Sequence, residues 1–401
     1  MTMEPRKATH EQLKRHNRQM LLRAVYLGLA DSRAALAHMT GLTKPTVSSL
    51  VAELIAEGLV SEGGHGPASE SGGKRPRLIE FRADARQIIG VSVDHVQVTG
   101  VLTDLAGQVV AHHRVELDAK RPLELIVGVI DGLRAQLDAP LLCIGVGLPG
   151  EVDTRSGGVR RSVPLGWRDL QVAAPLAGRY RVPVHLAHAT ELSALAQYAF
   201  GEASDQSPQR LVTLLLDRGV EIGVTLERGA FHYGGDLSGL RLPHFPLVPP
   251  TRTGAPVDPD RVARGRPESG EIGELLGGSG RLAGAVRELL DTSPSDEVDY
   301  LALRYAAANG DRRAAELIDQ IASRVAPLLA WAVALLRPDH LSLAGPMTDL
   351  GGAFLDRLQP AASEWLPAAD LETVTITLAH SRLSGALGAV ALALQKELSI
   401  V

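Results

Sequence analysis

The sequence predicts an α/β protein in two unequal parts: a small helical head ending in a β-hairpin, residues 1–83, and a two-lobed α/β body, residues 84–401. Three observations carry this reading. Charge divides the chain: residues 1–82 hold 12 Lys+Arg against 8 Asp+Glu, net +4, while the remaining residues hold 29 against 38, net −9, within an overall −5. The hydrophobic pattern changes from helical spacing to β-type runs near residue 86. Finally, the body presents two similar sets of strands followed by helices, beginning near residues 86 and 209.

The head reads as three helices and a hairpin. "HEQLKRHNRQMLLRAVYLG" places Leu13, Met20, Leu21, Val25 and Leu27 at roughly helical spacing. Asp31 or Ser32 caps the next helix, "SRAALAHMTG", which Gly41 ends. In "LTKPTVSSLVAELIAEGLV", Thr43 is an N-cap, Pro45 suits the first turn, and Val47, Leu50, Val51 and Leu54 form a buried stripe. Two helices across a short glycine-containing turn make a helix-turn-helix. Thr43, Lys44, Thr46, Ser48 and Ser49 then form the outward face of the second helix, short or flexible side chains suited to base edges and phosphates. "LVSEGGHGPASESGGKRPRLIEFR" follows as a wing, with Lys74, Arg75 and Arg77 on the return limb, suited to a phosphate backbone or minor groove. A helical dimerisation module with a flexible linker is the alternative reading of the same segment.

The body is globular by composition, 45% hydrophobic and 22% charged, with a core built from Leu, Val and Ala because aromatics make up only 3%. "QIIGVSVDHVQVTGVLTDLAGQVVAHHRVEL" reads as three strands with turns at Asp94-His95 and 104–107, followed by a helix and the buried strand "LLCIGVGLPG". "RVPVHLAHAT" reads as a strand, Val182–Leu186, running into a helix. A second set starts at "QRLVTLLLDRGVEIGVTLERGAFH" and closes with the strand "DHLSLAGP" and a C-terminal helix. Lobe 1 is expected over about 84–200 with the C-terminal helix 382–398, and lobe 2 over about 201–381, with a cleft between them. Cys143, the single cysteine, excludes an internal disulfide and a multi-cysteine zinc site, and its apolar setting reads as an inert thiol. A polar N-terminus and the lack of an apolar run of about 18 residues predict a cytoplasmic protein.

Several segments resemble one family. "GVGLPGEVDTRSGGVRRSVPLGWRDL" is similar to its P-G-x-(V/I)-D…G-x-V…S-x-N-L-G-W segment, and "LRPDHLSLAGP" and "SGALGAVALAL" to its C-terminal signatures. The family is ROK (repressors, open reading frames, kinases), and the resemblance implies an actin/hexokinase-like body. The head, at this spacing, resembles that of the repressor branch, the xylose and N-acetylglucosamine regulators.

The departures from the family pattern bear on chemistry. In the family's sugar kinases the strand matching "HLAHA" ends Glu-Asn-Asp, the Asp being the base; here the places are Ala187, His188 and Ala189. Alanine accepts no proton, and general-base catalysis contributes roughly 10²–10⁴-fold. The kinases' first hairpin, D-x-G-G-T, is replaced by Asp94, His95, Val96 and Gln97, without a glycine to open backbone amides to phosphate. The second loop keeps Gly219 and Gly223 but carries Glu221. The family's zinc cluster of one histidine and three cysteines is reduced to His244, which cannot close a tetrahedral site. Pro164 replaces the family's sugar-contacting Asn, and Arg241 aligns with its Glu.

The expectation is therefore a DNA-binding transcriptional regulator, a repressor of carbohydrate-related genes, with a non-catalytic sensor body and neither metal nor cofactor. Its partners would be a pseudo-palindromic double-stranded DNA operator and a sugar-like or anionic effector, or no effector, with the chain acting as a dimer or tetramer. The alternative is a sugar kinase with an accessory DNA-binding head. Arg161, His188, Glu191, Arg241 and His244 are the effector-site candidates. Each also has a structural reading: a helix start for Glu191, hydrogen-bonded histidines for His188 and His244, solvated charges for the arginines.

Overall fold

The computed structural model describes residues 10–65, 76–94, 96–162, 165–201, 210–216, 220–226, 281–293, 298–379 and 383–400. The chain opens with α1 (His10–Tyr26), α2 (Arg33–Thr40) and α3 (Lys44–Ala56), followed by an antiparallel pair, β1 (Val60–His65) and β2 (Arg77–Phe81). Local chemistry sets these ends. Ser32 accepts the Ala35 amide at 3.3 Å to start α2, and Gly41, at φ 69°, ends it in the left-handed region. Val47, Leu50, Val51 and Leu54 of α3 are buried as the spacing predicts, against Leu21, Leu22, Ala24 and Val25 of α1. Leu13 and Leu27 are not on that face: they are 51% and 48% exposed, Leu13 in the exposed first turns of α1 and Leu27 beyond its end.

The first body sheet holds β3 (Gln87–Val93), β4 (Gln97–Asp104), β5 (Val109–Glu116), β6 (Leu141–Leu148) and β10 (Val184–His188) in the order β10-β6-β3-β4-β5. Between these strands run α4 (Pro122–Arg134), α5 (Ala173–Tyr180) and a small antiparallel sheet of β7 (Glu151–Asp153), β8 (Gly158–Ser162) and β9 (Trp167–Gln171). After α6 (Ala189–Phe200), the second sheet takes β11 (Arg210–Leu216), β12 (Val220–Leu226), β13 (His340–Ala344) and β14 (Thr375–Leu378) in the order β12-β11-β13-β14. In both sheets an antiparallel hairpin, β3/β4 or β11/β12, is extended by two parallel strands. That shared plan is the physical content of the two similar halves expected from the sequence.

Among the described residues the remaining α-helices are α7 (Arg281–Leu290), α8 (Tyr300–Ala308), α9 (Arg312–Leu336), α10 (Gly352–Ser363), α11 (Ala368–Glu372) and α12 (Ser384–Glu397). By length and composition α9 could cross a membrane, but its apolar side, from Leu317 through Val333, is buried in the second sheet's core with Val212, Leu214 and Phe354. The last helix, α12, returns to the first sheet and packs on β3 and β6. Gly90 and Gly145 are partners across those strands. A Cβ on either would lie 2.1 or 2.0 Å from a carbonyl of α12, so the glycines let helix backbone rest on sheet backbone.

Head and body share one core. Buried residues from Leu21 to Ile79 are continuous with Ile88, Leu105, Leu192 and the inner side of α12. The boundary expected at residues 83/84 falls in a single 3-10 turn, Ala83–Ala85, tied on both sides: Arg82 N–H donates to Leu59 O at 2.9 Å, and Leu105 N–H to Ala83 O at 3.0 Å.

Candidate functional site

In the head, Lys44, Ser48 and Ser49 are exposed positions of α3, Lys44 in its first turn beside the buried stripe and Ser49 on the far side from it. None of the three carries a protein partner among the described residues. Thr43 and Thr46, expected on the same face, use their hydroxyls locally. Thr43 Oγ1 accepts the Thr46 amide at 3.4 Å and lies 2.9 Å from Thr46 Oγ1, as an N-cap should, leaving Thr46 half-buried.

Acidic groups of the head are turned toward its cations. Lys14 of α1 pairs with Glu53 of α3 at 2.8 Å, and Arg18 with Glu57. Glu62 on β1 takes both Arg77 of β2 and Arg33 of α2, fastening the strand pair to the helices. The Arg77 guanidinium, then Arg33, hold the Glu62 carboxyl below its ordinary 4.5. Arg77, expected to face phosphate, is thus already engaged by a carboxylate. Lys74 and Arg75 lie outside the described residues.

The strand at which the cleft is expected lies two residues later than the sequence reading placed it, Val184–His188. Pro183 has no N–H to pair, and its carbonyl instead accepts the Ile144 amide at 2.9 Å just before the ladder begins. His188, 8% exposed, ends the strand in register with Leu148 of β6. Ala187 is buried and Ala189 begins α6, so neither neighbour supplies a carboxylate. The next acid along the chain is Glu191, half-buried in the first turn of α6, where the helix dipole favours its charge.

Arg161 is exposed on β8, in register with Glu151 of β7 and Arg168 of β9, and β7 packs against β10. Arg161 and His188 therefore lie on strands with β7 between them. Arg241, His244 and Pro164 fall outside the described residues. Among the described residues no group of three or more His, Cys, Asp or Glu is arranged to hold a metal.

The β3–β4 turn shows what replaces an open phosphate loop. Asp94 Oδ1 accepts the amides of Val96 and Gln97, both at 2.7 Å, and Asp94 N–H donates to Gln97 O at 3.1 Å. Amides that could have faced an anion are filled by a carboxylate from the same turn. The corresponding turn between β11 and β12 lies outside the described residues. Glu221 sits at the start of β12, in register with Leu215.

Two features of this region were not anticipated. His185 Nε2 lies 2.7 Å from Glu397 Oε1, tying β10 to the end of α12 across 212 residues; no local pattern announces so distant a pair. The Asp94 turn was readable, since Asp at a turn start habitually takes the amides two and three residues on. Cys143 is buried, and burial, then the Glu397 charge, push its thiol far above the range in which it ionises.

Comparison with known proteins sets this geometry in a family. A family model described as ROK family matches residues 88–396. The xylose repressor of Bacillus subtilis (strain 168) is 29% identical over 240 residues, 57% of this chain and 61% of the repressor. The aligned part of the chain thus spans about three fifths of that relative's length. The DNA-binding transcriptional dual regulator NagC of Escherichia coli (strain K12) is 23% identical over 341 residues, 82% of this chain and 80% of NagC. Among solved structures, a ROK family transcriptional regulator described as a homolog of the E. coli MLC protein superposes with a TM-score of 0.75. It covers 96% of this chain and 98% of its own at 17% identity, which speaks for the fold alone. With the family model covering most of the body and the doubled hairpin-plus-parallel-strand plan beneath it, the chain belongs to the ROK family.

Proposed function

We propose that the chain is a DNA-binding transcriptional repressor of carbohydrate-related genes, with a winged helix-turn-helix head (residues 1–83) and a two-lobed, non-catalytic ROK body (84–401). The observation that carries it is the exposed trio Lys44, Ser48 and Ser49 on α3, the third helix of a tri-helical head whose nearby acids, Glu53, Glu57 and Glu62, are neutralised internally. That leaves a face suited to a polyanion. Relatives named as a xylose repressor and a DNA-binding regulator support the reading. α3 would enter the major groove and the wing, with Lys74 and Arg75, would meet phosphate.

The body is the sensor in this proposal. An effector of sugar-like or anionic character would meet Arg161, His188 and Glu191 in the cleft, with Arg241 and His244 from the segment outside the described residues. A cytoplasmic homo-oligomer would set two heads on a pseudo-palindromic operator. Against the kinase alternative stand Ala189, which has no proton acceptor, and the carboxylate-filled turn at Asp94.

Selection of duplexes from a random library by the full chain, followed by binding isotherms at several salt concentrations, tests the reading. A recovered two-fold-related motif bound at least about 10³-fold more tightly than random duplex is expected. Equal affinity for selected and random duplexes would reject it.

A further inference from the structure

α6 touches three parts of the molecule. Its first residue follows His188 directly, at the end of β10 where the proposed effector site lies. It packs on α12 and on β11 and β12 of the second sheet. Its last residue, Phe200, abuts the β4–β5 turn: a Cβ on Gly107 would lie 2.3 Å from Phe200 Cε1. Over twelve residues the helix spans roughly 18 Å.

From that turn the contacts run into the head. Asp104 Oδ1 holds the amides of Ala106 and Gln108, both at 2.9 Å, which fixes the turn's shape. Leu105, fully buried, donates its amide to Ala83 in the link between head and body. The next residue back, Arg82, is bonded to Leu59, whose own amide donates to Leu54 O at 3.0 Å in the last turn of α3. Alongside, Tyr26 of α1 meets Phe81 edge to face, ring centres 5.1 Å apart, and burial and then the Asp104 charge raise its phenol above its ordinary value. No flexible tether intervenes. Leu54, Leu59, Leu105, Leu192 and Leu195 belong to a single buried cluster, with Phe200 packed against it.

We propose that α6 couples the cleft to the DNA-reading head, and that Phe200, seated on the turn at Gly107, is the positioning residue through which a displacement of α6 re-aims α3. The inference rests on the head being the DNA reader. Densely packed contacts transmit a shift of a rigid helix instead of absorbing it. Because coupling between two sites is reciprocal, DNA held at the head must also alter the helix start at the cleft.

Hydrogen exchange of the full chain, free and saturated with a duplex selected by the protein itself, tests this. In the wild type, DNA slows exchange in the head (residues 33–56) and also changes it at the start of α6 (residues 188–195). In Phe200→Ala, and in Gly107→Ala where the added Cβ drives into the ring, the head stays protected and the DNA dissociation constant moves by less than about threefold. The DNA-dependent change at 188–195 falls by about fivefold or more in both. Gly107→Ala changes no residue of α6, though it strains the turn at φ 79°, and decides the matter if Phe200→Ala fails to fold. A protected head with no change at 188–195 in the wild type overturns the coupling, and an undiminished change in the variants overturns the role of Phe200. Absence of protection at the head with any duplex overturns the DNA-binding reading, and this inference with it.

Discussion

The carboxylate of Asp94 accepts the Gln97 amide at 2.7 Å, and the same oxygen takes the amide of Val96. In a turn that binds phosphate, such amides stay open and the site attracts anions. Here a negative charge already occupies the turn, and an incoming phosphate would have both to displace it and to bear its repulsion. Calorimetry with ATP is therefore expected to show no binding, and a coupled assay no phosphorylation of hexoses, N-acetylhexosamines or pentoses. Ala189→Asp restores a carboxylate at the start of α6 but leaves the turn unchanged, so it too should stay inactive. Turnover by either protein would promote the kinase alternative.

At the head, Lys44→Ala combined with Ser48→Ala removes two groups from the exposed side of α3. Specific affinity should fall by about 1–3 kcal/mol while affinity for random duplex changes much less. A uniform loss on both duplexes would reduce these residues to phosphate contacts.

Lys74→Ala with Arg75→Ala should do the opposite, weakening all sequences alike and flattening the dependence of log K on log salt by about one unit for each phosphate no longer neutralised. Arg77 differs from these two because Glu62 already holds it. An unchanged salt slope in the double variant would remove the wing from the interface.

The head was legible because its information is local. Ser32, Gly41, Thr43 and the stripe Val47–Leu54 act within a few residues of themselves, and each sits where its chemistry put it. The hairpins of the body were readable for the same reason. The small sheet β7–β9 was not, because strands of 3, 5 and 5 residues are too short to show a period. In the cleft, the loss of a carboxylate at Ala187 and Ala189 could be seen in the sequence. The bond from His185 to Glu397 and the continuity of head and body cores depend on pairings hundreds of residues apart.

Glu62 makes the head's stability depend on pH. Its carboxyl is held below the ordinary 4.5 by Arg77 and then Arg33, so the folded head favours the charged form. For a lowered carboxylate, the stabilisation is complete above the unfolded value and is lost as pH falls through the folded one. Acid titration of the wild type should therefore show stability declining below about pH 4.5. Glu62→Gln should lack that part of the decline, and its exposed pairs make the effect small and weaker in high salt. A variant with the same acid profile as the wild type would show that Glu62 contributes nothing to it.

Two glycines should respond to the same substitution with opposite signs. A Cβ on Gly145 would stand 2.0 Å from the Ala389 carbonyl of α12 and 2.6 Å from its carbon, both backbone atoms of a buried helix. Relief requires α12 to lift from the sheet, and α12 is also packed against α6 and β10. Overpacking of this kind costs typically about 1–3 kcal/mol, and a backbone neighbour places it at the upper end. Gly128 lies within α4 with nothing inside 4 Å of an added Cβ. There alanine only restricts the unfolded chain and favours helix, which stabilises by roughly 0.5–1 kcal/mol. In urea the midpoint of Gly145→Ala should fall and that of Gly128→Ala should hold or rise. A Gly145→Ala protein as stable as the wild type would mean that α12 does not rest on the sheet backbone.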